Sequence, residues 1–173
     1  MSEQITAALV AAIVSAVVSL TVAVAQLRQS KNSQRAQVQN DISTKYDKMV
    51  DYRLQYPEVL SLARHWKPDC FEKIYNQKTD EDKTWAIYYG YVELCIAYCN
   101  AVLYANAKKF LDKDSYKSEH EPLIRLLLAE HFPILSTIAQ PGKYVSIYLV
   151  EHIDTLQQTG WNWETTYQNL NKP

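Results

Sequence analysis

Two cysteines in the second half of the chain are the first residues whose spacing could support metal chemistry. Cys95 and Cys99 stand four residues apart, so on a helix they share one face and could offer two thiolates to a metal ion. No His or third Cys lies at zinc-finger spacing from them, and their apolar surroundings favour ordinary buried cysteines. The chain has three cysteines, which is an odd number and does not suit a disulfide framework. We therefore expect a reducing compartment and no metal site.

The remaining candidates for catalysis are equally sparse. Cys70 and His65 could form a nucleophile and its base, but no orienting partner is evident and Pro68 interrupts the helix between them. The other histidines form no HExxH motif. The chain has only 3 glycines, all far apart, which excludes Walker and Rossmann phosphate loops. The sequence therefore predicts no catalytic residue and no cofactor, and we expect the protein not to be an enzyme.

Tyrosine is unusually frequent, with 13 copies. Aromatic rings beside Lys or Arg can stack a base while the cation neutralises a phosphate, so these tyrosines could line a pocket for a small nucleotide signal. The alternative is that they fill a helical core and reach its edge with their hydroxyls. The candidate pocket residues are Arg64, Tyr88, Tyr91, Tyr98, Arg125 and Tyr148. Residues 56–173 hold 12 basic and 15 acidic side chains, so we expect no binding of long nucleic acid.

A long uncharged segment near the N-terminus indicates that these residues belong to a membrane-anchored chain. Residues 5–27 are 23 residues without a charge, and as a helix they would span roughly 34 Å, enough to cross a lipid bilayer. A secretory signal peptide would have a basic start and a shorter apolar core. The alternative is an Ala- and Val-rich soluble helix buried in an oligomer, but the segment lacks any polar face. We interpret it as an uncleaved transmembrane anchor.

Charges flanking the span predict its orientation. Arg28, Lys31 and Arg35 follow it closely, whereas Glu3 precedes it. Basic residues favour the cytoplasmic side and are attracted to anionic lipid headgroups. We expect a single-pass protein of the inner (cytoplasmic) membrane, with its N-terminus outside and its C-terminal domain in the cytoplasm.

Small side chains recur every four residues along the span. They are Ala7, Ala11, Ser15, Ser19 and Ala23. Such a stripe lets another helix backbone approach closely, which is a main route to association in lipid. The stripe predicts a homo-oligomer, although an Ala-rich span could also produce the spacing by chance.

The composition predicts an all-α fold: 47% of residues are hydrophobic, and only 3 Gly and 6 Pro interrupt the chain. We expect a transmembrane anchor at 1–29, a basic helical stalk at 30–56, a small cytosolic helical bundle at 57–160 and a C-terminal tail at 161–173. The span should continue into the stalk as one helix. Val38, Ile42, Met49 and Tyr56 are spaced to pack against the bundle or in a short coiled coil.

Local signals predict the helices of the bundle. Short helices are expected over residues 58–64 and 69–75. The central helix should run from a capping box at Thr79 and Asp82 to about residue 110. Two more are expected over residues 115–130 and 143–158, separated by Pro133 and Pro141, with Gly160 as the C-cap of the last.

The order of these features resembles a loose group of bacterial single-span proteins with cytosolic helical domains. The resemblance rests on the N-terminal span, the Gln-rich basic stalk, the step Tyr56-Pro57-Glu58-Val59 and the helical segment at residues 91–100. Some proteins of this kind act in phage defence as membrane effectors that a cytosolic sensor or partner switches on. The resemblance implies no site residue.

Three functions are compatible with the sequence. In the first, the cytosolic bundle senses a signal or partner and acts through oligomerisation of the span, as a phage-defence effector would. In the second, the protein is a membrane-anchored adaptor or scaffold that binds a cytosolic protein. In the third, the bundle is an enzyme at the membrane surface. The expected partners are the lipid bilayer, further copies of the chain, and an unidentified cytosolic protein or small nucleotide.

Overall fold

The computed structural model describes residues 2–67, 69–138, 146–162 and 164–166, with the backbone alone for 2–11 and 136–138. In the described ranges the protein is all-helical, with 87% of the residues in helices and none in a strand. Its helices are α1 (Ser2–Gln55), α2 (Val59–Leu62), α3 (Cys70–Asn76), α4 (Asp80–Ala107), α5 (Lys113–Ser115), α6 (Glu121–Ile138) and α7 (Ile147–Gln158). A 3-10 turn, Ala63–His65, follows α2, and a π-turn, Tyr116–His120, joins α5 to α6.

The chain divides into two compact units, Met1–Gln37 and Val38–Pro173. The first unit consists of the N-terminal part of α1, whose apolar side chains from residue 12 onward are exposed. Leu20 is 67% exposed and Leu27 is 63% exposed. Arg28, Lys31 and Arg35 are also exposed. Between residues 12 and 27, α1 therefore presents many large apolar side chains to its surroundings.

Among the described residues, two helices are long and apolar enough to cross a membrane, α1 and α4, and they differ in burial. None of the apolar window of α1 is buried, whereas half of the corresponding window of α4 is. The prediction that the N-terminal apolar segment continues into the stalk as one helix is confirmed, since α1 runs unbroken to Gln55.

In the second unit α4 is the central helix, packed against α2, α3, α6 and α7. Its start is the predicted capping box: Asp82 N–H donates to Thr79 Oγ1 at 3.1 Å, and Thr79 N–H donates to Asp82 Oδ2 at 3.0 Å. These two bonds satisfy backbone N–H groups that a helix start otherwise leaves unpaired.

The C-terminal part of α1 belongs to the core of this unit. Ile42 and Met49 are both 4% exposed, which confirms that the apolar spacing in the stalk serves to pack it against the bundle. Tyr52 adds a polar contact, because its hydroxyl donates to the Ile87 carbonyl of α4 at 3.0 Å.

The last helix ends as predicted at Gly160, whose φ is +82°. The Gly160 N–H donates to the Gln157 carbonyl, and the Trp161 N–H donates to that of Leu156, both at 3.0 Å. This pairing is a Schellman motif, which favours Gly at the left-handed position. Trp161 then packs edge-on against Phe132 of α6, with ring centroids 5.9 Å apart. The predicted helix start at Lys143, Trp163 and the tail beyond residue 166 lie outside the described residues.

The prediction that Pro133 separates two helices is wrong. Pro133 lies inside α6, which continues to Ile138. A proline cannot donate to the carbonyl four residues earlier and normally kinks or ends a helix. Here the next two side chains, Ile134 and Leu135, are buried in the core, and this burial offsets the cost of the lost bond.

Pro122 is accommodated differently, close to the start of α6. The preceding backbone widens into the π-turn, in which the Glu121 N–H donates to the Tyr116 carbonyl five residues back. A wider turn relieves the clash between a proline ring and the preceding turn of helix. The predicted helix over residues 115–130 is therefore composite: α5, the π-turn and α6.

Candidate functional site

A cavity of about 400 Å³ lies in the second unit, between the C-terminal part of α1, Tyr98 of α4 and the π-turn. Helix α1 contributes one wall, and the π-turn and the start of α6 contribute another. Its lining residues are Gln39, Ile42, Ser43, Tyr46, Tyr98, Leu111, Ser115, Glu119, His120 and Leu123. The volume is within the range of small-molecule sites.

Two of the side chains that line this cavity are hydrogen-bonded to each other. The Tyr98 hydroxyl and His120 Nδ1 are 2.9 Å apart, which joins α4 to the π-turn. Burial lowers the pKa of His120, and the nearby Glu119 carboxylate opposes that shift only in part. Burial also raises the pKa of Tyr98. Both groups are therefore neutral at pH 7, and the pair can offer either a donor or an acceptor to a ligand.

The π-turn explains why His120 reaches the cavity. A π-turn holds one more residue than an α-turn, so it changes the direction of the side chains that follow. Such turns are frequent at functional sites. Here it brings Ser115, Glu119 and His120 to one wall.

The predicted pocket residues occupy separate places, and only Tyr98 lines the cavity. Tyr88 and Tyr91 are 0% and 1% exposed. The Tyr88 hydroxyl lies 3.1 Å from His131 Nδ1, and the Tyr91 ring meets the His131 ring edge-on at 5.4 Å between centroids. These two tyrosines build a buried polar cluster in the core.

The other three predicted pocket residues lie nearer the surface. Arg64 is exposed in the 3-10 turn. Arg125 is exposed on α6 and donates to Glu121 Oε1 at 2.8 Å. Tyr148 on α7 packs edge-on against Tyr104, with centroids 5.7 Å apart. The six residues therefore do not form one pocket.

Sequence reasoning missed the partners of Tyr98 in the cavity. Tyr46 lies on α1, with its ring centroid 5.9 Å from that of Tyr98, and His120 lies 22 residues after Tyr98. The available signal was Pro122, since a proline two residues after a histidine marks irregular backbone where side chains change direction.

The cysteines lie in the core. Cys70, Cys95 and Cys99 are free and buried. Burial raises the pKa of Cys95, and it raises that of Cys99 to about 12. Cys95 and Cys99 are therefore protonated at neutral pH, and a protonated thiol is a poor nucleophile. In the described ranges, no three His, Cys, Asp or Glu side chains come together in a way that could hold a metal ion.

The structure describes the side chains of three of the five small residues on the span. Ala7 and Ala11 lie on α1 where the backbone alone is described. Ser15, Ser19 and Ala23 are exposed on the same helix. Their side chains are therefore available for contact with lipid or another helix.

Comparison with protein families, curated proteins and solved structures found no match to this chain.

Proposed function

We propose that this chain is a single-span membrane protein whose cytosolic helical domain senses a small ligand or partner and acts through association of its span. One observation carries the proposal. The helix with the exposed apolar segment, α1, is also the helix that supplies Gln39, Ile42, Ser43 and Tyr46 to the cavity. A ligand in that cavity thus touches the same secondary-structure element that enters the membrane.

The choice of α1 rather than α4 as the span follows from burial. A helix that exposes many large apolar side chains needs lipid or protein around it, and residues 12–27 of α1 form such a helix. The apolar side chains of α4 already have partners, since residues such as Val92 and Val102 are fully buried in the domain. Helix α4 therefore serves as the core of the domain.

Orientation and association are argued from the sequence of α1. Its exposed basic residues Arg28, Lys31 and Arg35 follow the apolar segment, which favours a cytosolic domain. Ser15, Ser19 and Ala23 form part of a small-residue stripe through which two spans can approach closely. Reorganisation of such contacts is the step by which an effector of this kind acts on the membrane.

The test compares two faces of the span in the full-length chain. Ser15→Leu with Ser19→Leu fills the small stripe, and Val17→Leu with Thr21→Leu is the matched control, two residues further on and therefore nearly opposite. The Thr21 hydroxyl donates to the Val17 carbonyl of its own helix at 2.8 Å, so the control removes no bond between helices. Both pairs make the span more hydrophobic and keep its length.

Each variant is expressed in bacteria at matched membrane levels, and oligomers are followed by cross-linking and the membrane potential by a voltage-sensitive dye. Expression raises the concentration of spans in the membrane, which favours their association by mass action even without a ligand. We therefore expect the wild type and the control to form oligomers and depolarise the membrane, and the stripe variant to lose both properties. Equal oligomers and an intact potential in all three chains would contradict the effector function and favour a membrane-anchored adaptor.

A further inference from the structure

The chemistry of the cavity between α1 and the π-turn indicates which class of ligand it takes. Two tyrosine rings, Tyr46 and Tyr98, lie 5.9 Å apart with their planes at 54°. Tyr46 is 42% exposed, so its ring is accessible from the open side. The faces of aromatic rings carry negative electrostatic potential and attract cations, most strongly where water is partly excluded.

The charge in the cavity lining is negative. The lining contains the carboxylate of Glu119 and no Lys or Arg among the described residues that form it. Glu119 is exposed, and it accepts a hydrogen bond from Ser115 Oγ at 3.2 Å. His120 adds no charge at neutral pH, because burial lowers its pKa. A phosphate or carboxylate ligand would find no cation here, which argues against a nucleotide.

The remaining walls are apolar or neutral. Ile42 and Leu111 are buried, Leu123 is half-buried, and Gln39 and Ser43 offer neutral polar groups from α1. An ammonium ion with apolar substituents matches this combination of aromatic faces, a carboxylate and aliphatic side chains.

We propose that this cavity binds a small organic ammonium ion, with the cationic nitrogen against the rings of Tyr46 and Tyr98 near Glu119 and the apolar substituents against Ile42 and Leu123. The signalling role of such a ligand rests on the proposed function, whereas its binding does not. Free amines and the ammonium headgroups of lipids share this chemistry, so the test separates the two sources.

The test uses the full-length protein in nanodiscs of phosphatidylglycerol, which carry no ammonium headgroup. Binding of choline is measured by isothermal titration calorimetry and compared with that of 3,3-dimethyl-1-butanol, its neutral isostere. We expect choline to bind about tenfold more tightly than the isostere, the ratio that a cation–π contact near a carboxylate supplies. Loss of choline binding in nanodiscs of phosphatidylethanolamine would identify the lipid headgroup as a competing ligand of the same site.

Two variants and a control locate the site. Glu119→Gln should weaken choline binding about fivefold, because it removes the carboxylate and keeps the shape. Tyr46→Leu should abolish the preference for choline over the isostere. Tyr75→Leu is the matched control, since Tyr75 is 76% exposed on α3 and does not line the cavity; it should bind choline as the wild type does. Circular dichroism verifies that each variant is folded.

Equal affinity for choline and the isostere, tighter binding of adenosine monophosphate than of choline, or the absence of choline binding by the folded protein would each overturn the proposal. The choline-binding measurement is independent of the experiment on the span. Choline binding with no effect of the Ser15 and Ser19 substitutions would support the proposed ligand and reject the effector function. Loss of oligomers in the Ser15 and Ser19 variant, with no choline binding by the folded protein, would reject the proposed ligand and support the effector function.

Discussion

The hydroxyl of Tyr52 lies beside Gly90 so closely that a Cβ at position 90 would be 2.9 Å from Tyr52 Oη. The same hydroxyl donates to the Ile87 carbonyl one turn earlier on α4 at 3.0 Å. The glycine thus provides the space in which α1 is hydrogen-bonded to α4. Any larger side chain must push the tyrosine hydroxyl aside and so weaken that bond.

The first prediction reverses the usual effect of alanine in a helix. Gly90→Ala should normally stabilise a helix by about 0.5–1 kcal/mol, but here it should lower the stability by about 1 kcal/mol because the Tyr52 hydrogen bond is weakened. In a Tyr52→Phe background, where the crowded hydroxyl is absent, the same change should be stabilising. Thermal unfolding of the four full-length proteins in detergent measures this cycle, and the same sign in both backgrounds would contradict the contact.

The second prediction concerns the end of α4. Lys109 has a φ of +58°, and the Phe110 N–H donates to the Ala105 carbonyl at 2.9 Å while the Lys109 N–H donates to that of Asn106 at 3.0 Å. This is a Schellman motif with lysine at the position that favours glycine. Lys109→Gly should raise the stability by about 1 kcal/mol, because a side chain in the left-handed conformation is strained.

Lys108→Gly is the matched control for this change. Lys108 has a φ of −84°, so glycine gains nothing there and should be neutral or destabilising through its greater freedom in the unfolded chain. Chemical denaturation of both variants, compared with the wild type, tests the pair. A lower midpoint for Lys109→Gly than for the wild type would contradict the strain at this position.

The third prediction concerns the capping box that begins α4. Thr79→Ala removes the hydroxyl that accepts the Asp82 N–H and should cost about 1 kcal/mol of stability. Thr84 is the control, since it is half-buried and its hydroxyl donates to the Asp80 carbonyl within the same helix at 2.8 Å. Thr84→Ala should change the thermal midpoint little. Equal losses in the two variants would show that the cap has no special role.

The fourth prediction is acid destabilisation through His131. Burial lowers the pKa of this side chain from 6.5 to about 3, and Arg53 contributes to the shift. Between these two values the unfolded chain binds a proton that the folded chain does not, so stability falls as the pH falls below 6.5. By pH 5 the loss should reach about 2 kcal/mol.

The variants separate this effect from other titrations. His131→Gln should be less stable at pH 7 but should lose less on going from pH 7 to pH 5, whereas His65→Gln, at an exposed position, should follow the wild type. Glu130 adjoins His131, and burial raises the pKa of its carboxyl group. This shift raises the stability of the folded protein as the pH falls, which opposes the effect of His131. It is present in all three proteins. A direct NMR titration showing that the His131 ring binds a proton near pH 6 would contradict the prediction even if the glutamine variant does not fold.

The sequence predicted those features of the fold that depend on neighbouring residues. The capping box at Thr79 and Asp82 and the C-cap at Gly160 are formed by groups within a few positions of each other, so their residue types suffice. Pro133 was misread because its local cost is offset by the burial of Ile134 and Leu135, which depends on tertiary packing.

The cavity could be predicted only in part for the same reason. The helical spacing of the tyrosines identified Tyr98, but the same spacing applies to Tyr88 and Tyr91, which lie fully inside the core. Which tyrosine borders a cavity depends on where Tyr46 and His120 lie, and these residues are 52 positions before and 22 positions after Tyr98. No periodicity within one helix contains that information.

The π-turn at Tyr116–His120 is equivalent to the insertion of a single residue into an otherwise regular helix. Removal of one residue from it would restore ordinary helical phase and rotate the side chains before Pro122 by about 100° relative to those after it. The buried residues of α6, such as Ile124 and Leu128, could keep their places in the core, while a different side chain would replace His120 opposite Tyr98. One codon therefore separates a chain that has this histidine–tyrosine pair from one with the same core and a different wall.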